Sequence, residues 1–192
     1  MPLTYYKFKL FKYTIGFYCV KTIQVDGMTS RCVDRKNIIF WDFEDTELDN
    51  VVKALEKVAK EYNLNKIHIF QSGKRNSYRA ICTEKFKFFK EVIRIVMNTA
   101  YTDVAFVKWS LIRFKFTIRI SPKEKEEIYY IRTIENPEGY NRENSLAHSL
   151  ILNRLYKVPM PHYTDNLKKF THVKYDTANI PKYFTRKMYS KK

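Results

Sequence analysis

The sequence predicts an α+β fold built around a buried strand that ends in two acidic residues. Helical periodicity recurs over 48–62, 84–97 and 144–156, and short apolar or alternating segments typical of strands lie between these stretches. With 192 residues and 45% hydrophobic composition, the chain is long enough to bury a core. We therefore expect one principal domain, over residues 1–158.

The N-terminal part is predicted to hold three strands and then a helix. Residues 5–25 mix aromatic and β-branched side chains with lysines, which favours two half-exposed strands that break near Gly16. Four consecutive apolar residues, Ile38–Trp41, are typical of a buried strand. Thr46 precedes the first helical pattern, whose early acidic residues suit a helix N-terminus.

The middle of the chain is predicted to alternate strands with one helix. Lys66–Phe70 is a short strand, and we expect its histidine, His68, to be structural because no second histidine lies nearby. A polar turn leads into Ala80–Cys82, and the second helix follows. An apolar run at 104–107 follows Asp103, and the alternation of apolar and basic residues over 111–123 then predicts a long strand with a basic face.

The C-terminal part is predicted to add a strand over 128–134, a third helix over 144–156 and a basic, aromatic extension. That extension, 159–192, holds eight lysines or arginines against two aspartates. We expect it to pack on the domain or trail from it, and to contact nucleic acid.

The charge of the chain indicates a polyanionic partner. Lysine and arginine number 36 against 20 acidic residues, for a net charge of +16, and 15 tyrosines and 14 phenylalanines accompany them. Cationic and aromatic side chains together suit nucleic acid. Three scattered cysteines indicate a reducing compartment, and no apolar run is long enough to cross a bilayer. We expect a cytoplasmic protein without a membrane partner, in the host cytoplasm if the source is viral.

Two short motifs are candidates for chemistry. Residues i and i+2 of a strand share a face, so Asp42 and Glu44 could hold Mg²⁺ or Mn²⁺ together, or simply form a solvated strand end. The basic turn from Ser72 to Arg79 could bind phosphate through backbone N–H groups and guanidinium forks, or could be a solvated hairpin.

These pieces, in this order, resemble the catalytic core of the archaeo-eukaryotic primase superfamily, especially the primase-polymerases of plasmids and viruses. The first family motif, Asp-x-Glu at a strand end, is matched by Asp42 and Glu44, and the third, a lone aspartate, by Asp103. The second motif departs from the family's Ser-x-His, because this chain has Ser77 and then Arg79 in the histidine position. An arginine can grip phosphate oxygens in bidentate fashion.

The resemblance implies an RRM-like antiparallel sheet with packed helices, joined to an N-terminal α/β unit. It implies that Asp42, Glu44 and Asp103 are catalytic and hold Mg²⁺ or Mn²⁺. The implied nucleotide-binding residues are Ser72, Ser77, Arg79, Arg119 and Lys123, and the implied nucleic-acid-binding residues are Lys74, Arg75, Arg113 and Lys115.

The function implied is template-directed nucleotidyl transfer, as by a DNA primase or primase-polymerase, in replication of a mobile element or virus. Expected partners are a single-stranded DNA template, nucleoside triphosphates, and a helicase or other replication protein. Two alternatives remain: a non-catalytic nucleic-acid-binding replication protein of similar fold, and a metal-dependent nuclease using the same acids.

Overall fold

A four-stranded antiparallel sheet is the centre of the fold. The computed structural model describes residues 3–11, 13–20, 26–73, 75–121 and 127–160. Within these residues the elements are, in chain order, β1 (Leu3–Leu10), β2 (Tyr13–Val20), β3 (Gly27–Thr29), β4 (Asn37–Phe43), α1 (Leu48–Glu61), β5 (Lys66–Gln71), β6 (Tyr78–Phe86), α2 (Phe89–Met97), α3 (Val104–Arg113), β7 (Thr117–Arg119), β8 (Tyr129–Glu135) and α4 (Leu146–Tyr156). The mixture of helices with antiparallel sheets confirms the α+β class.

The central sheet has the order β4-β6-β5-β8, and every neighbouring pair is antiparallel. Ile38–Trp41 and Phe43 of β4 are fully buried, which confirms the predicted buried strand. Such a strand is apolar without alternation because both of its faces are covered. The register places Asp42 of β4 opposite Arg79 of β6. A separate two-stranded ribbon pairs β3 with β7.

Helices α1 and α2 cover one face of this sheet. Val51, Leu55 and Val58 of α1 recur at helical spacing and are buried. The indole N–H of the fully buried Trp41 donates to the hydroxyl of Thr99, just after α2, over 2.9 Å. This bond satisfies the one polar atom of the tryptophan side chain, so the ring can lie in the core without an unpaired donor.

Helix α4 covers the opposite face. The ring centroids of Phe40 and His148 are 6.3 Å apart, and those of Phe70 and Tyr156 are 5.1 Å apart. His148 Nε2 donates to the carbonyl oxygen of Thr29 over 2.9 Å, and so links α4 to β3. The sheet is therefore the middle layer between two sets of packed elements.

One predicted strand is largely wrong in type. The sequence predicts a long strand over 111–123, whereas α3 occupies Val104–Arg113 and β7 is limited to Thr117–Arg119. The physical reason is the cap: the Asp103 side chain accepts hydrogen bonds from the first free N–H groups of α3, which favours helix over strand at this point. The helix ends at Phe114, whose φ of 53° is left-handed.

Two predicted boundaries also shift. Strands β1 and β2 form an antiparallel hairpin in which Lys7 pairs with Gly16, so the predicted break near Gly16 is wrong, and the chain turns instead at Phe11, with φ 53°. The second helix begins at Phe89 rather than Glu84, because residue 84 still belongs to β6.

The structure describes the predicted principal domain but little of the predicted extension. Residues Met1–Val158 group into one compact unit. The predicted extension lies outside the described residues from 161 onward, so its role stays a prediction. Of the helices in the described ranges, none has the length and apolar character that a bilayer crossing requires.

His68 lies buried within β5, as expected of a structural histidine. It is 6% exposed, and its Nδ1 lies 2.8 Å from the hydroxyl of Thr133 on the neighbouring strand. Burial, and then the charge of Lys66, lower the pKa of His68 to about 4. The folded protein therefore holds this imidazole neutral at neutral pH.

This lowered pKa predicts a loss of stability in mild acid. Between the ordinary pKa of 6.5 and the folded value of about 4, the unfolded chain binds a proton that the folded chain does not. The free energy of unfolding should therefore decrease as the pH is lowered, by about 3 kcal/mol over this window. In His68→Gln, which can still bond Thr133, this part of the pH dependence should vanish.

Urea unfolding of both proteins at about pH 7 and about pH 4 measures the effect. The difference between wild type and variant cancels the titration of other groups, including His148, whose pKa burial also lowers. Parallel pH dependences in the two proteins would contradict the prediction.

Candidate functional site

The end of β4 carries a carboxylate paired with an arginine from the adjacent strand. Asp42 Oδ1 lies 3.4 Å from Arg79 Nε, and the two side chains are only 19% and 13% exposed. Arg79 also donates from Nη1 to the backbone carbonyl of Arg119 on β7, over 2.9 Å. The guanidinium is thereby held between the central sheet and the β3–β7 ribbon.

Asp103 lies beside Asp42 although 61 positions separate them in the sequence. The backbone N–H of Asp103 donates to the carbonyl oxygen of Asp42 over 2.8 Å. This bond fixes the connection between α2 and α3 against the end of β4. The structure therefore brings together two of the three predicted catalytic acids at the backbone level.

The Asp103 carboxylate has a structural role of its own. Its Oδ1 accepts from the N–H of Ala105 over 3.0 Å, and its Oδ2 accepts from the N–H of Phe106 over 2.9 Å. These are two of the N–H groups that a helix leaves unpaired at its start, and the negative charge also suits that end of the helix dipole. Asp103 is thus the N-cap of α3.

Glu44 completes the acidic group from just beyond β4, where it is exposed. Burial raises the pKa of Asp42, the charge of Arg79 opposes this, and the charges of Glu44 and Asp103 raise that pKa further. The ionised form of Asp42 is therefore stabilised chiefly by the charge of Arg79. Any additional cation near it would be stabilised by the same two neighbouring acids.

The donor chemistry of this acidic group suits a hard divalent ion, because Mg²⁺ and Mn²⁺ prefer carboxylate oxygens. Two of its carboxylates already have partners in the protein, since Asp42 is paired with Arg79 and Asp103 caps α3. Over the ranges that the structure describes, no group of three or more histidine, cysteine, aspartate or glutamate residues is placed to hold a metal ion. An ion there would have to compete with Arg79 for Asp42.

The predicted phosphate-binding turn connects β5 to β6 at the same end of the sheet. Ser72 and Ser77 are buried, their hydroxyl oxygens lie 2.6 Å apart, and the Ser72 N–H donates to the Ser77 carbonyl over 2.9 Å. The N–H of Thr46 donates to the carbonyl of Asn76 over 3.0 Å, which ties the turn to the segment after β4. The two serines therefore stabilise the turn.

The predicted basic residues fall in different places. Arg75 is exposed in the turn, while Lys74 lies outside the described residues. Arg113 ends α3 and lies over the ring of Trp109 at 5.5 Å, and Lys115 follows it, half-buried. Lys123, predicted to bind nucleotide, also lies outside the described part of the chain.

A small pocket lies between Arg79 and the second arginine predicted to bind nucleotide, Arg119. Apolar residues line the rest of it, among them Ile118 and Tyr156. It encloses about 10 Å³, room for about one water molecule. A nucleoside triphosphate does not fit in that space, so a nucleotide held by Arg79 would have to bind outside this pocket or displace its walls.

Comparison with known proteins adds no relative. No protein-family model, curated protein or solved structure matches the chain. The functional argument therefore depends on the site itself. Sequence reasoning missed one feature of it, the capping role of Asp103, although the signal was present: an aspartate directly before a run without proline or glycine is a typical helix start.

The cap predicts a stability difference between two substitutions of the same residue. Asp103→Ala should lower the free energy of unfolding by about 1 kcal/mol, because the N–H groups of Ala105 and Phe106 lose their acceptor. Asp103→Asn should stay close to wild type, since asparagine caps about as well. Urea unfolding checks both, and equal losses in the two variants would contradict the capping role.

Proposed function

We propose that this protein is a template-directed nucleotidyltransferase of the primase-polymerase type, acting on single-stranded DNA. The observation that carries the proposal is the meeting of Asp103 with Asp42, through the 2.8 Å backbone hydrogen bond, beside Arg79. The sequence resemblance requires this convergence of residues from three separate motifs.

The order of elements also supports the proposal. An RRM-like core begins with the order strand, helix, strand, strand, helix, with the third of its strands between the first and second. The segment β4-α1-β5-β6-α2 has that order in the chain, and β6 lies between β4 and β5 in the sheet. The acid and the arginine are then on adjacent strands at one end, where the connecting segments can shape a site.

The residues would divide the work as follows. Asp42, Glu44 and Asp103 would hold divalent cations, which supply activation of a 3′-hydroxyl and neutralisation of the triphosphate charge. Arg79 would bind the phosphates of the incoming nucleotide through its guanidinium. Its bond to the Arg119 carbonyl positions it between β6 and β7.

A second candidate is a nucleic-acid-binding protein without catalysis. The observation that favours it is the state of the acids: Asp42 is neutralised by Arg79, and both oxygens of Asp103 are engaged in the cap. In that case Asp42 and Arg79 are a structural ion pair between adjacent strands. The basic surface alone would then bind the single strand.

One assay separates these functions. Wild-type protein is incubated with single-stranded DNA, labelled nucleoside triphosphates, and Mg²⁺ or Mn²⁺, and the products are resolved by length. We expect labelled products complementary to the template. Binding of DNA without any incorporation supports the second candidate, and shortened template supports a nuclease.

Asp103→Asn gives the sharpest variant for this assay because it removes the carboxylate charge but keeps the cap. Incorporation should fall while the unfolding transition stays near that of wild type. The matched control is Glu138→Gln, an equal change of charge at an exposed residue of the loop after β8. Equal activity of Asp103→Asn and wild type would remove Asp103 from the site.

A further inference from the structure

Helix α3 leaves most of its apolar side chains in solvent. Ser110 is its only buried residue, whereas Val104, Trp109 and Ile112 are 79%, 54% and 59% exposed. Burial of apolar side chains is the main source of helix stability in a folded protein. Folding alone therefore does not account for a tryptophan and an isoleucine on the outer side of this helix.

Phe114, at the end of α3, has the same character. It is 72% exposed and adopts a left-handed backbone conformation, with φ 53°. Glycine or asparagine is favoured at such a position, and a large side chain there is strained. An exposed aromatic ring at a strained position gains nothing from the core, which points to a use for the ring itself.

Cationic side chains are interspersed with these rings. Arg113 stacks over Trp109 at 5.5 Å, and Lys108, which directly precedes Trp109, is exposed. No aspartate or glutamate occurs between Asp103 and Glu124. The outer side of α3 is thus apolar, aromatic and positively charged, which complements a ligand with flat rings and negative charges.

We propose that the outer side of α3, with Trp109 and Phe114 as its aromatic residues, is a stacking platform for the bases of single-stranded nucleic acid. Unpaired bases stack on aromatic rings without regard to sequence, and Lys108 and Arg113 would neutralise the phosphates between them. Base-paired DNA keeps its ring faces inside the duplex, so the platform selects single strands.

Helix α3 starts next to the acidic group of the candidate site. The helix begins at Asp103, which is bonded to Asp42, so a strand lying along α3 passes the acidic group at the start of the helix. This inference deepens the proposed function by naming where the template is held. It rests on that function for its role in synthesis, while the binding itself needs neither metal nor nucleotide.

Intrinsic fluorescence provides the test, because the chain has only two tryptophans and they differ in environment. Trp41 is fully buried and Trp109 is 54% exposed. Titration of the full-length protein with oligothymidylate, without metal, should quench the emission of Trp109. Trp109→Phe should keep the affinity and lose the quenching, since phenylalanine still stacks.

Trp109→Ala, followed in the same titration by fluorescence anisotropy of a labelled oligothymidylate, should weaken binding about ten-fold, because one stacked base is lost. The control is Tyr140→Ala. Tyr140 is 61% exposed and also stacks with an arginine, Arg142, but its N–H bonds Asn63, at the opposite end of β5 from the Ser72–Ser77 turn. This control should bind as wild type does.

Equal affinities for Trp109→Ala and Tyr140→Ala would overturn the proposal, as would quenching by anionic phospholipid vesicles without quenching by oligothymidylate. Concentration-dependent self-association that Trp109→Ala abolishes, with unchanged DNA affinity, would assign the surface to a second copy of this chain.

Trp109-dependent binding without nucleotide incorporation would remove the proposed function alone. Incorporation with binding independent of Trp109 would remove this inference alone.

Discussion

Asp42→Asn is expected to reduce nucleotide incorporation about 1,000-fold, because a cation-binding carboxylate supplies several kcal/mol of transition-state stabilisation and each 1.36 kcal/mol is a factor of ten. The fold should survive the change. Asparagine has the shape of aspartate, and its amide oxygen can still accept from Arg79, which now lies 3.4 Å away. Burial already raises the pKa of Asp42, so the neutral form is tolerated at this position.

The assay compares incorporation by wild type, Asp42→Asn and the exposed control Glu138→Gln at equal concentrations of folded protein. Activity in Asp42→Asn within a few-fold of wild type would end the catalytic proposal.

Glu84→Ala is expected to cost about 3–5 kcal/mol of stability, the usual loss when one partner of a buried ion pair is removed. Glu84 is 1% exposed on β6, and one carboxylate oxygen lies 3.0 Å from Arg142 Nη1 while the other accepts from the backbone N–H of Asn65. Arg142 also donates to the carbonyl of Asn63. Burial raises the pKa of Glu84 in spite of these donors. The charged carboxylate is therefore unfavourable to bury, and its removal would leave Arg142 and the Asn65 N–H without this acceptor.

Urea or guanidinium unfolding measures the loss, and Glu135→Ala is the matched control. Glu135 forms a 2.7 Å pair with Lys66, but both side chains are exposed, at 62% and 41%. Such surface pairs contribute about 0–1 kcal/mol. Similar losses in Glu84→Ala and Glu135→Ala would show that burial is not what makes the first pair important.

The local patterns in the sequence predicted much of the fold correctly. The apolar run of β4, the helical period of α1 and the strand at β5 each depend on neighbouring side chains that must share one face. The region after residue 103 was the exception. Apolar and basic residues there satisfy both strand and helix periods over a few positions, and the cap made by Asp103 decided for helix.

The candidate site divides in the same way. The sequence alone determined which residue types are present: two acids at the end of an apolar strand, a lone aspartate far along the chain, and a large excess of cations. Only the tertiary structure decided that Asp103 lies against Asp42 and that Arg79 neutralises the charge of Asp42. The reason is that strand pairing and the packing of the α2–α3 connection bring together residues tens of positions apart, and no local pattern records such a contact.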